Sequence, residues 1–202
     1  AEDGSRPGTY FVNTTAPTTR TRFESEALAF HESVPGHHLQ LTIAQELPVV
    51  PDFRRNAFLT VYDEGWGLYA ERLSDEMGLY SGDLERFGVL SFDSWRAGRL
   101  VVDTGIHALG WSREEAIDYL AANSPQAENN IVNEIERYIA WPGQALAYKT
   151  GQHEIFAARN RAVAAMGDGF DIRGFHDALL GSGPVPMPTM HRLIDEWIAN
   201  AS

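Results

Sequence analysis

The sequence predicts a mainly α-helical domain, with one short edge strand near its start and a helix kinked by Pro-Gly. Three observations carry this expectation. Apolar residues recur at three- and four-residue spacing over most of the chain. The periodic stretches end on glycine, proline or a capping serine. Only one short stretch favours extended structure.

That stretch is Thr9-Tyr10-Phe11-Val12-Asn13-Thr14, bounded by Gly8 and Pro17. It reads as a strand whose free edge could pair with an extended peptide, or as an extended arm. Residues 23–34 read as a helix: Phe23, Ala27, Leu28 and Phe30 form the apolar positions, and Glu24 and Glu26 suit the first turn. Pro35-Gly36 breaks or kinks it, and the pattern resumes from His38 to Ala44. A second helix is expected over 54–78, capped by Gly78, and a third over 83–109, ending at Gly110. Ser112 and Glu115 have the spacing of a capping box that opens a short helix to about Ala122. Ser124-Pro125 reads as the N-cap and first position of a helix running to Tyr138. After Trp141-Pro142-Gly143 a helix is expected from Gln144 to about Met166, and two more near 171–180 and 188–199. No repeat or charge block divides the 202 residues, so they read as one domain.

The net charge of −12 argues against a nucleic-acid binder and against docking on an anionic membrane. With no cysteine there are no disulfides, thiolate ligands or cysteine nucleophile. No apolar run is long enough to span a membrane. The N-terminus does not read as a signal peptide and carries no initiator methionine, so the chain is expected to be part of a longer protein.

Three of the seven histidines, and a glutamate, fall in His31-Glu32-Ser33-Val34-Pro35-Gly36-His37-His38. This is the zinc-peptidase pattern H-E-x-x-H lengthened by two residues. On an unbroken helix His37 would lie on the wrong face, and His38 would sit about 10 Å along the axis from His31, too far for one ion. A bulge at Pro35-Gly36 would return His37 to the place of the fourth residue after His31. The competing interpretation is a helix, a turn and three surface or capping histidines. The next helix adds Glu64 and Glu71, seven apart on one face. Two histidines and a glutamate from this helix would hold Zn²⁺ with one position open, leaving Glu32 as general base, unless Glu64 and Glu71 only line a solvated face. Glu71 reads as part of a solvated face or as support for a ligand. Gly65 and Gly67 would let the two helices pack closely.

These residues resemble a known family. His31-Glu32-x-x-Pro35-Gly36-His37 and Glu64-Gly65-Trp66-x-x-Tyr69-x-Glu71 are similar to the bacterial domain-of-unknown-function family 885, of the zincin clan of metallopeptidases. The resemblance extends through Arg6–Tyr10, through Trp95-Arg96-x-x-Arg99 to His107, and through Arg137 to Gly151. It implies a helical zincin fold with His31, His37 and Glu64 as zinc ligands and Glu32 as base. It prefers His37 to His38, because the family's second histidine follows the glycine directly. It implies a carboxypeptidase or small-peptide hydrolase. Members are usually much longer, so the chain resembles their C-terminal, metal-carrying part, and the missing N-terminal part would form one wall of the cleft. An exported location (periplasmic, lipoprotein or secreted) is the compartment the family suggests.

Other residues complete the expected site. Tyr138 and Tyr148 are candidate oxyanion donors, and Gln144 lies four residues before Tyr148. Arg96 and Arg99 could hold a substrate carboxylate. Asp103 and His107 form an i, i+4 pair in which the carboxylate could orient the ring, with His107 placed to bind substrate. Tyr10 is a further candidate substrate contact, and His38 is expected off the metal but beside it. The expected activity is hydrolysis of a peptide or small amide by Glu32-activated water. The alternatives are a zinc hydrolase of another amide or ester, and a non-catalytic metal- or peptide-binding module.

Overall fold

The computed structural model describes residues 5–47, 50–55 and 57–201. Within them lie ten α-helices and no strand. The expected strand at residues 9–14 is instead an irregular arm, with Phe11 84% exposed. β-favouring side chains do not make a strand without a partner, and among the described residues none is present.

Helix α1 (Ser25–Glu32) follows a 3₁₀ turn at Arg22–Glu24 and stops at Ser33, whose N–H bonds to the carbonyl of Ala29. The Val34–Pro35 peptide is cis, and α2 (His37–Glu46) starts directly after Gly36. The bulge folds back so tightly that a Cβ on Gly36 would collide with the carbonyls of Phe30 and His31. The indole Nε1 of Trp66 holds it from below, donating to the carbonyl of Pro35 at 2.9 Å.

The pattern over 54–78 resolves into a single turn, α3 (Asp52–Arg55), and α4 (Thr60–Glu76). Helix α5 (Asp83–Leu109) ends at Gly110, whose φ of 75° is the left-handed cap glycine provides. The Ser112–Glu115 capping box opens α6 (Arg113–Asn123), with both reciprocal bonds formed. Ser124 does not start the next helix. Its N–H and hydroxyl both bond to the carbonyl of Leu120, closing α6, and α7 (Glu128–Ala140) begins four residues later. A 3₁₀ turn at Gln144–Leu146 leads into α8 (Ala147–Met166). Asp171 caps α9 (Ile172–Leu180) through its carboxylate, and α10 (Met187–Ala201) completes the fold.

Helix α4 is the centre of the molecule. It meets α8 glycine to glycine: a Cβ on Gly65 would lie 2.5 Å from Cα of Gly151, and one on Gly151 would collide with the carbonyl of Val61. Its apolar side (Tyr62, Trp66, Tyr69, Leu73) joins Ile155, Phe175, Leu179, Met190 and Ile194 in the largest core. A second core forms where Val102 of α5 meets Leu120 of α6 and Ile131 and Ile135 of α7. Each large side chain fully buried in these cores contributes about 1.5–3 kcal/mol. No helix among the described residues is long and apolar enough to cross a membrane.

Candidate metal centre

His31 stands in the last turn of α1, His37 at the start of α2, and Glu64 one turn into α4. The break between α1 and α2 brings the histidine rings to 4.7 Å between centroids, with their planes at 86°. Oε2 of Glu64 lies 3.4 Å from Nε2 of His31 and 3.3 Å from Nε2 of His37. One donor atom from each of the three residues falls within 4.8 Å of the others.

The outward nitrogens fix the rings. Nδ1 of His31 is 2.7 Å from Oε1 of Glu71, which is fully buried rather than solvated. Nδ1 of His37 is 3.2 Å from Oε1 of Gln40, whose amide donates to Asp63, and Asp63 accepts from the Leu59 N–H. Both partners of the rings are acceptors. Each Nδ1 therefore carries the proton, and each Nε2 offers its lone pair to the cluster whenever the ring is neutral.

The residues present fit a divalent ion. Two imidazoles and a carboxylate are a zinc donor set. Gly67 supports this sterically, since a Cβ there would sit 2.6 Å from Cε1 and 2.7 Å from Nε2 of His31, and 3.0 Å from Cε1 of His37. The backbone of α4 thus leaves a recess that the two rings fill. Gly65 was expected to serve this same contact, but it faces α8 instead.

Electrostatics tie the three groups together. Burial works against a charge on His31, but its bonds to Glu64 and Glu71 outweigh it and raise its pKa to about 9. Burial opposes the charge on Glu64 too, but the two histidines hold its carboxyl well below the usual range. Burial raises Asp63 to about 6.

The cluster opens into a cavity of about 770 Å³. Glu32, exposed at the end of α1, lies on its wall, as do Tyr10, Tyr148, Arg96 and Arg99. The ring of Tyr148 stacks 6.2 Å from that of His31, and its hydroxyl accepts from Nε2 of Gln144 at 3.1 Å. Gln144 also donates to Oε1 of Glu64 at 3.4 Å.

Four of the expected site residues lie elsewhere. Tyr138 is buried behind the wall, where its hydroxyl accepts from the indole of Trp95. Nε2 of His107 bonds to the backbone carbonyl of Tyr138, not to Asp103 or the cavity. Asp103 accepts from the N–H of Gly143, so it holds the turn that carries Gln144. His38 is exposed, away from the cluster, with its ring against Gly8. One helical residue beyond His37, it points about 100° away. Gln40 and Asp63 escaped the sequence reading. Their only signal was spacing: Gln40 is three residues after His37, and Asp63 adjoins Glu64.

Fold and site together define a helical protein with a two-histidine, one-carboxylate cluster at the floor of a cavity. The chain belongs to the family described as bacterial protein of unknown function, DUF885, which matches residues 1–194. It is similar to a solved structure described as the "putative lipoprotein" of Colwellia psychrerythraea, with 43% identity and a TM-score of 0.96 over 98% of this chain and 34% of that one. A second, from Shewanella oneidensis and described as a "putative lipoprotein of unknown function", shares the fold at 24% identity, with a TM-score of 0.78 over 86% of this chain and 32% of that one. The chain thus spans about a third of the length of either. No curated protein matches it.

Proposed function

We propose that the protein is a zinc-dependent peptidase whose water is activated by Glu32. The observation that carries this reading is the meeting of His31, His37 and Glu64 in the cavity, with Glu32 and Tyr148 among its lining residues. When bound there, a divalent ion supplies Lewis acidity, polarising a carbonyl and acidifying water. Glu32 takes a proton from the attacking water as the new C–O bond forms, and returns it to the nitrogen as the C–N bond breaks. Because Gln144 donates to the oxygen of Tyr148, the tyrosine's own proton is free for the oxyanion. Among the described residues the cluster has three donors, which supports an open position for chemistry rather than a closed structural site.

Tyr10, Leu41 and Phe58, at 41%, 47% and 65% exposure, line the cavity. We read them as a seat for the rest of a longer polypeptide, and the description of the Colwellia relative as a "putative lipoprotein" supports an exported location.

The test is metal analysis and peptide-library hydrolysis with the full-length protein. The expected result is one zinc per chain, with Glu32→Gln retaining the metal and losing roughly 10²–10⁴ of the rate. Equal rates for Glu32→Gln and wild type would overturn the mechanism. Zinc retained by His37→Ala but lost by His38→Ala would overturn the ligand assignment.

A further inference from the structure

We propose that Arg96 is a carboxylate-binding subsite, holding a negatively charged group of the substrate while the scissile bond lies at the His31–His37–Glu64 cluster. The inference rests on the hydrolase reading above and specifies what that hydrolase recognises.

Arg96 lies on the cavity wall and is 4% exposed. A guanidinium keeps its charge at any physiological pH, and a buried charge without a partner is costly. Yet Nε and Nη1 of Arg96 meet no acceptor, and among the described residues no carboxylate forms an ion pair with it. What surrounds it is aromatic. Its Cζ is 4.2 Å from the ring centroid of Phe92, 4.1 Å from that of Trp95 and 5.6 Å from that of Tyr148. Rings stabilise the face of the cation, and the N–H edge is left for a planar acceptor.

Arg99, one turn along α5 in the same wall, has partners that Arg96 lacks, although its Nε also meets no acceptor. Its Nη2 donates to Oε1 of Gln144 at 2.8 Å, and its Nη1 is 3.9 Å from Oε2 of Glu134. Arg99 therefore has a counterion and positions Gln144, the residue that bonds both Glu64 and Tyr148. Arg96 has neither. The ring of Tyr148 is 5.6 Å from Cζ of Arg96 and 6.2 Å from the ring of His31, so Arg96 and the cluster share a neighbour in the same cavity.

A carboxylate suits a guanidinium, accepting two parallel N–H···O bonds from Nη2 together with either Nε or Nη1. It could be the C-terminus of a peptide or an acidic side chain, and the experiment separates the two. Zinc-loaded, full-length protein carrying Glu32→Gln is titrated calorimetrically with acetyl-Ala-Ala as free acid, with its C-terminal amide, and with the amide of acetyl-Glu. The series is repeated with Arg96→Met, which keeps the aliphatic stem, and with Arg96→Lys.

The free acid is expected to bind about 10- to 100-fold tighter than the Ala-Ala amide. The ratio should fall to near one in Arg96→Met and partly recover in Arg96→Lys. If the Glu amide gains instead, and loses its gain in Arg96→Met, the carboxylate comes from a side chain and the subsite stands. Equal binding of all three probes by the protein that retains Arg96 overturns the proposal. So does an Arg96→Met variant that weakens every probe alike and keeps the ratio, since that is a structural role. If the protein carrying Glu32 cleaves no peptide while the Arg96-dependent ratio holds, the hydrolase reading fails and the subsite survives. Cleavage with a flat ratio has the opposite meaning.

Discussion

The two sides of α4 serve opposite purposes. One side carries Asp63, Glu64, Gly67 and Glu71, and each either contacts the histidine cluster or supports a residue that does. The other carries Tyr62, Trp66, Tyr69 and Leu73 into an apolar core shared with α8, α9 and α10. Apolar contacts are non-directional, so that side accepts any set of shapes that fills the space. On the polar side each donor has one acceptor, and losing a partner leaves a buried group unsatisfied. The fold is thus held mainly from one side of α4 and the site from the other. Trp66 is the exception, since its ring is in the core and its N–H holds the Pro35 bulge.

The comparison can be broken at several points. The largest expected effect is on the apolar side, where Phe175→Ala should cost about 3–5 kcal/mol in denaturant unfolding. Zinc affinity of the folded variant should stay within about twofold of wild type, given that the sites do not touch. A parallel loss of zinc would show that the two sides are not independent. Next comes Gly67→Ala, where the added methyl meets the rings of His31 and His37. Overpacking of this kind costs about 1–3 kcal/mol, and here it should appear chiefly as lost zinc with the helical circular dichroism retained. Glu71→Gln should weaken zinc binding about 10- to 100-fold, measured by competition with a chelator, because His31 loses the carboxylate that orients it.

The smallest effect is one of pH. His176 bonds to the hydroxyl of Tyr69 beneath the apolar side, and burial lowers its pKa to about 4 from 6.5. Below pH 6.5 the unfolded chain takes up a proton that the folded state refuses until about pH 4. Its stabilisation is therefore complete above pH 6.5 and is lost as pH falls to 4. For this partly exposed ring it amounts to no more than about 2 kcal/mol. His176→Gln should flatten the fall in melting temperature over that window, and an unchanged slope would assign the acid sensitivity elsewhere.

How much of this was legible depended on whether the signal was local. The two histidines, Glu32 and Glu64 lie within 34 residues, and helix arithmetic alone required the break at Pro35-Gly36. The capping box at Ser112 and the left-handed cap at Gly110 were equally local. The residues that misled were those whose partner is distant or missing. Thr9–Thr14 has β-favouring side chains but no strand to pair with among the described residues. Asp103 has the spacing to orient His107, but the backbone of Gly143 takes its carboxylate. Arg96 and Arg99 look interchangeable in sequence. Glu134, brought in by α7, and Gln144, from the turn before α8, distinguish them.

The bulge and the wall bearing Arg96 and Tyr148 are close in space but come from distant stretches of the chain. The three donors close a loop of 33 residues, while the wall bearing Arg96 and Tyr148 comes from chain as much as 117 positions beyond His31. Loop closure becomes costlier only slowly, by about 0.6 kcal/mol per doubling, so the difference in thermodynamic cost is small. The difference in inheritance is larger. Substitutions in α5, α7 or α8 can remodel what the cavity admits while leaving untouched the stretch that gathers the donors. The stretch that gathers the three donors and the stretches that supply much of the cavity lining are therefore separate, and one can diverge while the other is kept.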